Sequence, residues 1–256
     1  MSAVKTCPLD PANLVARCRE AALRCGFREE SFGHVDGVPL IAFTKRAMGP
    51  KPRIYISSGI HGDEPAPPLA MLKLLESGEF DARATWFLVP MLNPTGFAAD
   101  QRENDTGIDL NRDYTSPVSA EISAHVDWLQ TQPRFDVALC LHEDWEAQGF
   151  YLYELNASSG SGMAHALREA ASSLMPIDPH SEIDGRPINE PGIIRPESDP
   201  ALRDTWPEAI YLWRHHTDLC YTVETPSGSG LDRRVSTHVA VIKQMITETL
   251  AIVDQT

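Results

Sequence analysis

Long apolar runs, positive charge and cysteine are all scarce in this 256-residue chain. No stretch approaches the ~20 consecutive apolar residues that a membrane-spanning helix needs. Lys and Arg number 22 against 36 Asp and Glu, giving a net charge of −14. Phosphate backbones and anionic membrane surfaces would repel such a chain, which excludes nucleic acid and membrane as partners. Of the five cysteines, Cys7, Cys18 and Cys25 lack a CxxC spacing, while Cys140 and Cys220 lie inside apolar strands and read as buried, reduced thiols. Met1 to Pro8 holds one Lys and no apolar core of the signal-peptide kind, so a cytoplasmic location is expected. At 42% hydrophobic, with neither a repeat nor a linker, residues 1–256 read as one domain with a sizeable core.

What the chain does contain is most concentrated at Ile60-His61-Gly62-Asp63-Glu64-Pro65, which follows the β-branched stretch Arg53 to Gly59. His61 and Glu64 are three apart in a Gly turn leading towards a helix, so both side chains can project to one side. Alone, that spacing is equally served by a solvated loop His and a Glu complementing a helix N-terminus. Two further strands change the balance. Phe135 to Leu141 is apolar and ends at His142-Glu143-Asp144, and Leu219 to Val223 ends at Glu224-Thr225-Pro226. Three apolar strands thus each deliver a metal-competent or acid/base group at the carboxyl end, the edge where open α/β sheets bind ligands. His61, Glu64 and His142 suit a His/His/Glu catalytic zinc site, one zinc per chain, with a coordination position left for water.

Apolar periodicity places these strands in an alternating pattern. Helices are expected over 10–26 (Asp10 as N-cap, Pro11 first), around Leu69 to Leu75, over 118–130 with Val118, Ile122, Val126 and Leu129 on one face, from Met163 to Leu174, and from Ser236 to Val253. Strands are expected at 38–43, 53–60, 84–89 and 149–154 besides those ending at His142 and Glu224. The alternation predicts an α/β fold, a mostly parallel twisted mixed sheet with helices on both faces. From Met175 to Pro207 the pattern breaks into a polar stretch with seven prolines, a candidate wall for a pocket, in which Arg186 and Arg195 could meet an acidic substrate. His34, His125, His165, His180 and His238 are isolated and read as surface or capping residues. His215-His216 could support a ligand from behind, and Glu143 with Asp144 could orient one.

Between the first two of the three strands stand Asn93-Pro94-Thr95-Gly96-Phe97, Arg102, and Asp109-Leu110-Asn111-Arg112-Asp113-Tyr114. Two arginines ten apart in a polar loop suit carboxylate binding, although the acidic neighbours Asp100, Glu103, Asp105, Asp109 and Asp113 equally suit surface ion pairing. Taken in order, HGDE, NPTGF, Arg102, DLNRDY, LHE and VETPSG resemble the zinc carboxypeptidase family of carboxypeptidase A type. The resemblance is strongest to its small bacterial branch, which includes murein-peptide amidases and borders succinylglutamate desuccinylase and aspartoacylase.

The resemblance implies a zinc carboxypeptidase-like (phosphorylase/hydrolase-like) fold. It makes His61, Glu64 and His142 the zinc ligands, Glu224 the general base, Arg102 the group that polarises the scissile carbonyl, and Asn111 with Arg112 the grip on a terminal carboxylate. The implied reaction is hydrolysis of an amide bond next to a free carboxylate. The substrate would be a small peptide, such as a cell-wall-derived one, or, in the alternative reading, an N-acyl amino acid. A non-catalytic zinc- or carboxylate-binding module is disfavoured by the intact Glu224. HGDE lacks the arginine-and-tryptophan extension of digestive carboxypeptidases. The substrate-capping tyrosine of the family has only Tyr211 as a candidate.

Overall fold

The structure, a computed structural model, describes residues 10–157, 162–183, 185–188, 190–196 and 198–253. The stretch from Met1 that holds Cys7 lies outside the described residues. Helix α1 (Pro11–Arg24) begins where the sequence signals it: the Asp10 carboxylate accepts from the Ala12 amide at 3.0 Å, with Pro at the first helical position. Strands β1 (Arg28–Val35) and β2 (Val38–Lys45) form a hairpin around Asp36-Gly37, both at positive φ, the backbone a tight two-residue turn requires. Strand β1 escapes detection in the sequence because its Arg-Glu-Glu-Ser run is polar and lies at the sheet edge.

The elements then alternate: β3 (Arg53–Ser57), α2 (Ala66–Glu76), β4 (Thr85–Val89), α3 (Pro94–Ala99), α4 (Ala120–Gln130), β5 (Val137–Asp144), β6 (Tyr151–Asn156) and α5 (Ala164–Ser172). Three two-residue strands follow, β7 (Glu182–Ile183), β8 (Arg186–Pro187) and β9 (Ile193–Ile194), then α6 (Glu208–His215), β10 (Leu219–Pro226) and the long α7 (Leu231–Val253). The main sheet runs β1-β2-β4-β3-β5-β10-β6-β9. Its four central strands, β4, β3, β5 and β10, are parallel, and antiparallel pairs join them to β2 on one side and β6 on the other. A mostly parallel mixed sheet is what the alternation predicts.

Side chains along the central strands alternate between two cores. Ile54, Ile56, Leu139, Leu141 and Val223 pack under α1, α2, α5 and α7, whereas Tyr55, Ala138, Cys140 and Cys220 pack under α4 and α6. Burial on both faces is why these strands read as continuous apolar runs. Cys18, Cys25, Cys140 and Cys220 are free thiols. No described helix is long and apolar enough to cross a membrane.

Three expectations need correction. Val118 is outside α4 and 76% exposed, because the helix is capped one residue later by the Ser119 hydroxyl, which accepts from the Ile122 amide. Helix α7 starts five residues earlier than its apolar periodicity suggests, since its first turn is polar and half-exposed. Neither His125 nor His238 is a surface residue: both are fully buried, His125 between the hydroxyls of Tyr55 and Tyr114 and His238 against Thr225.

Candidate active site

The three strands that the sequence singles out, β3, β5 and β10, are neighbours in the sheet, and their carboxyl ends face one cavity. His142 and Glu224 are directly paired in the β5–β10 register, so their side chains leave the same face side by side. His61 arrives from the loop after β3. That loop depends on Gly62: a Cβ there would stand 1.9 Å from the Gly96 backbone carbon. Gly96 is equally confined, by Asn93 and the Glu103 carbonyl. The HGDE loop and the first turn of α3, which carries NPTGF, therefore meet glycine to glycine, which is why neither tolerates bulk.

The buried side chains of His61, Glu64 and His142 bring one donor atom each within 4.8 Å of one another. His61 Nδ1 lies 2.5 Å from Glu64 Oε1, His142 Nδ1 lies 3.0 Å from Glu64 Oε2, and the two Nδ1 atoms are 3.3 Å apart. Two bare ring nitrogens can share that space with a carboxylate only around a proton or a cation. Two imidazoles and one carboxylate are the donor set of a divalent ion such as zinc, so these residues fit a metal. Burial pushes the Glu64 carboxyl up, but the charges of His61 and His142 outweigh it and hold the group well below the usual carboxylate range. The imidazole of His142 is lowered by burial, which favours the neutral form that ligates metals.

Asp109, read from sequence as one of several surface acids, has a structural part in the centre. Its Oδ1 lies 3.3 Å from His61 Nε2 and its Oδ2 accepts from Arg102 Nε at 3.0 Å. A carboxylate on Nε2 makes that nitrogen the donor and leaves Nδ1 bare towards Glu64. Burial works to raise the Asp109 carboxyl, yet the bond to His61 and the charges of His61 and Arg102 keep it well below its ordinary value. The available signal was an always-charged arginine seven residues upstream, in need of a partner. Arg102 NH1 reaches 3.2 Å from His61 Nδ1, and the Asn93 side chain holds the Arg102 carbonyl at 3.1 Å.

Asn111 and Arg112 line the same cavity as His61, Glu64, Arg102 and Glu224. Asn111 is buried and Arg112 exposed, its guanidinium donating to the Asn111 carbonyl at 2.8 Å. The cavity holds about 240 Å³. Its outer wall is the Pro-rich stretch, which contributes Arg186, Pro196, Pro200, Arg203 and Pro207, so this stretch walls a pocket as expected. Arg195 faces elsewhere, paired with Glu154 and Glu190, and Arg203 supplies the second cation of the wall. Trp145 lines the mouth while 77% exposed.

Of the remaining candidates, Glu143 and Asp144 line the cavity, whereas Tyr211, His215 and His216 fall away from it. Tyr211 is not among the lining residues. From α6 it packs on Tyr114 and on His215 of the same helix, so it is no cap, and Tyr151 and Tyr153 are the tyrosines of the wall. His215 and His216 end α6 just before β10 begins, at the sheet edge opposite the carboxyl ends, and support no ligand. Glu143 leaves β5 on the face opposite His142. There it accepts from the Ala66 amide at 2.9 Å and pairs with Arg234, anchoring the start of α2 beside Glu64. Burial pushes its carboxyl up to about 7 against the pull of Arg234.

These features define a hydrolase of the carboxypeptidase/deacylase type with a centre suited to a metal ion. The succinylglutamate desuccinylase/aspartoacylase catalytic domain matches residues 50–185, more than half of the chain, and the chain belongs to that family. A search of curated proteins finds no match. Among solved structures, a candidate metallopeptidase from Shewanella amazonensis is 26% identical, with TM-score 0.81, 92% of this chain and 91% of that one being covered. A second, from Shewanella denitrificans, is 29% identical with TM-score 0.80, covering 92% of this chain and 88% of that one. A metallo-carboxypeptidase from Burkholderia cenocepacia, at 17% identity and TM-score 0.69 over 91% and 67% of the two chains, shares the fold.

Proposed function

We propose that this protein is a zinc-dependent carboxypeptidase that hydrolyses the amide bond next to the free C-terminal carboxylate of a small peptide. The observation that carries the reading is one cavity lined jointly by His61, Glu64, Glu224, Arg102, Asn111 and Arg112. One zinc per chain, held by His61, Glu64 and His142, would supply a Lewis acid that activates water and polarises the carbonyl. Glu224, on the strand next to His142, takes the proton of the attacking water and returns it to the leaving amine. Arg102 neutralises the negative charge that develops on the carbonyl oxygen. Arg112 and Asn111 hold the terminal carboxylate, which fixes the position of the scissile bond.

Likeness over 92% of the chain to two candidate metallopeptidases supports the peptide substrate. The family match favours a second reading, a deacylase of N-acyl amino acids, with the same residues in the same roles. A paired panel separates them: unblocked peptides, including ones ending in diaminopimelate, against N-succinyl and N-acetyl amino acids. Higher kcat/KM on the peptides is expected. A clear preference for the N-acyl amino acids would replace the first reading by the second.

A further inference from the structure

Behind the cavity a buried carboxylate serves no step of the reaction above. Glu208 is the first residue of α6 and 1% exposed, and burial raises its carboxyl above the usual range. One carboxylate oxygen accepts from the Tyr55 hydroxyl at 2.6 Å, the other from the Ser57 hydroxyl at 2.8 Å. Both donors belong to β3, the strand that leads to His61. A buried acid is costly unless its oxygens have donors, and here both have one.

The backbone amide of Glu208 points the other way. As a first-turn amide it has no acceptor within its own helix, and the residue before it, Pro207, offers no capping side chain. Its acceptor is Asn111 Oδ1, at 2.9 Å. This bond decides which end of the Asn111 amide meets the substrate. With the oxygen committed to α6, the NH2 group is the end left for the cavity that Asn111 lines. A carboxylate needs a donor there; a flipped amide would present an acceptor and repel it.

The network closes on itself. The only hydroxyl hydrogen of Tyr55 goes to Glu208, so His125 Nε2, 3.0 Å from the same oxygen, must be the donor between them. His125 Nδ1 is then bare and accepts from the Tyr114 hydroxyl at 2.8 Å. Tyr114 is three residues beyond Asn111, in the loop that carries both Asn111 and Arg112. Donors thus run in one direction, Tyr114 to His125 to Tyr55 to Glu208, and the Glu208 amide returns to Asn111. Every member is buried.

We infer that Glu208 is a positioning residue, which locks the first turn of α6 onto β3 so that its amide holds Asn111 with the NH2 end towards the substrate carboxylate. The inference rests on the reading of Asn111 as a carboxylate-binding residue. Its signature is a loss in discrimination between a free C-terminal carboxylate and its amide, expressed in KM.

The test compares wild type with Glu208→Gln, which keeps the shape and an acceptor for Tyr55, and with Glu208→Ala. Zinc-loaded Glu208→Ala is expected to raise KM for the free-acid substrate at least tenfold and to narrow the acid-over-amide ratio of kcat/KM by a similar factor, with kcat within threefold. Glu208→Gln should stay within threefold of wild type in all of these. A Glu208→Ala protein that loses thermal stability but keeps KM and the ratio would overturn the inference. Should Glu208→Ala not fold, Tyr55→Phe removes one donor from the same carboxylate and is expected to move KM in the same direction by a smaller factor; no change would overturn it. Side-chain 15N relaxation of Asn111 Nδ2 needs no substrate and so separates failure here from failure of the proposed reaction. Increased Asn111 mobility in Glu208→Ala is expected, and unchanged mobility would contradict the inference.

Discussion

At the scale of single residues, His61, Glu64 and His142 have one set of donor atoms converging and a separate set of partners holding them. Asp109 orients His61, Glu143 anchors the helix start beside Glu64, and the β5–β10 register sets Glu224 next to His142. Removing a proposed ligand and removing the proposed base should therefore have different consequences. His61→Ala is expected to bind less than a tenth of the wild-type zinc, since two ligands remain and a water must replace an imidazole. Glu224→Gln should keep its zinc and lose turnover by at least a hundredfold, because an amide cannot accept the water's proton. Elemental analysis beside a turnover assay reads both. Equal zinc in His61→Ala and wild type would remove His61 from the ligand set, and an active Glu224→Gln would move the base elsewhere. At this scale the sequence was most legible where a residue must have one chemistry at a strand end. It was least legible for Asp109, whose side chain among four other loop acids has nothing local to distinguish it.

At the scale of elements, the buried central strands were legible because burial on both faces leaves an uninterrupted apolar run. Strand β1 and helix α6 were not, for opposite reasons: β1 is polar at the sheet edge, while α6 is short and follows a proline-rich stretch. Hidden polar contacts were also illegible. His125 in α4 looks like any helix histidine until Tyr55 and Tyr114, from elements distant in sequence, close around it. Burial lowers its imidazole to about 3, so the unfolded chain, with an ordinary value near 6.5, takes up the proton first. The stability that neutral His125 contributes is thus complete above pH 6.5 and is lost as pH falls towards 3. In urea unfolding, the stability gap between wild type and His125→Gln should narrow by about 2 kcal/mol from pH 7 to pH 5. A gap that does not change with pH would mean that His125 titrates alike in the folded and the unfolded protein, as a solvent-exposed imidazole would.

At the scale of the whole molecule, an acidic chain of net charge −14 gathers Arg102, Arg112, Arg186 and Arg203 around one cavity at the carboxyl edge of its sheet. Glu64, Glu143, Asp144, Glu146 and Glu224 line the same cavity, so the four guanidiniums can act on a carboxylate only by direct contact and not as a long-range positive field. The same geometry explains why a peptidase and a deacylase are hard to separate from sequence alone: both need a metal, a base and a carboxylate grip. In the proposed reaction, the bond broken lies next to a free carboxylate held by Asn111 and Arg112. The most direct test is kcat/KM for one good substrate of the zinc-loaded protein, measured with its C-terminal carboxylate free and then as the amide. A fall of at least a hundredfold on amidation is expected, since the carboxylate grip would face a neutral group and lose a charge-assisted pair. Equal kcat/KM for acid and amide would contradict it.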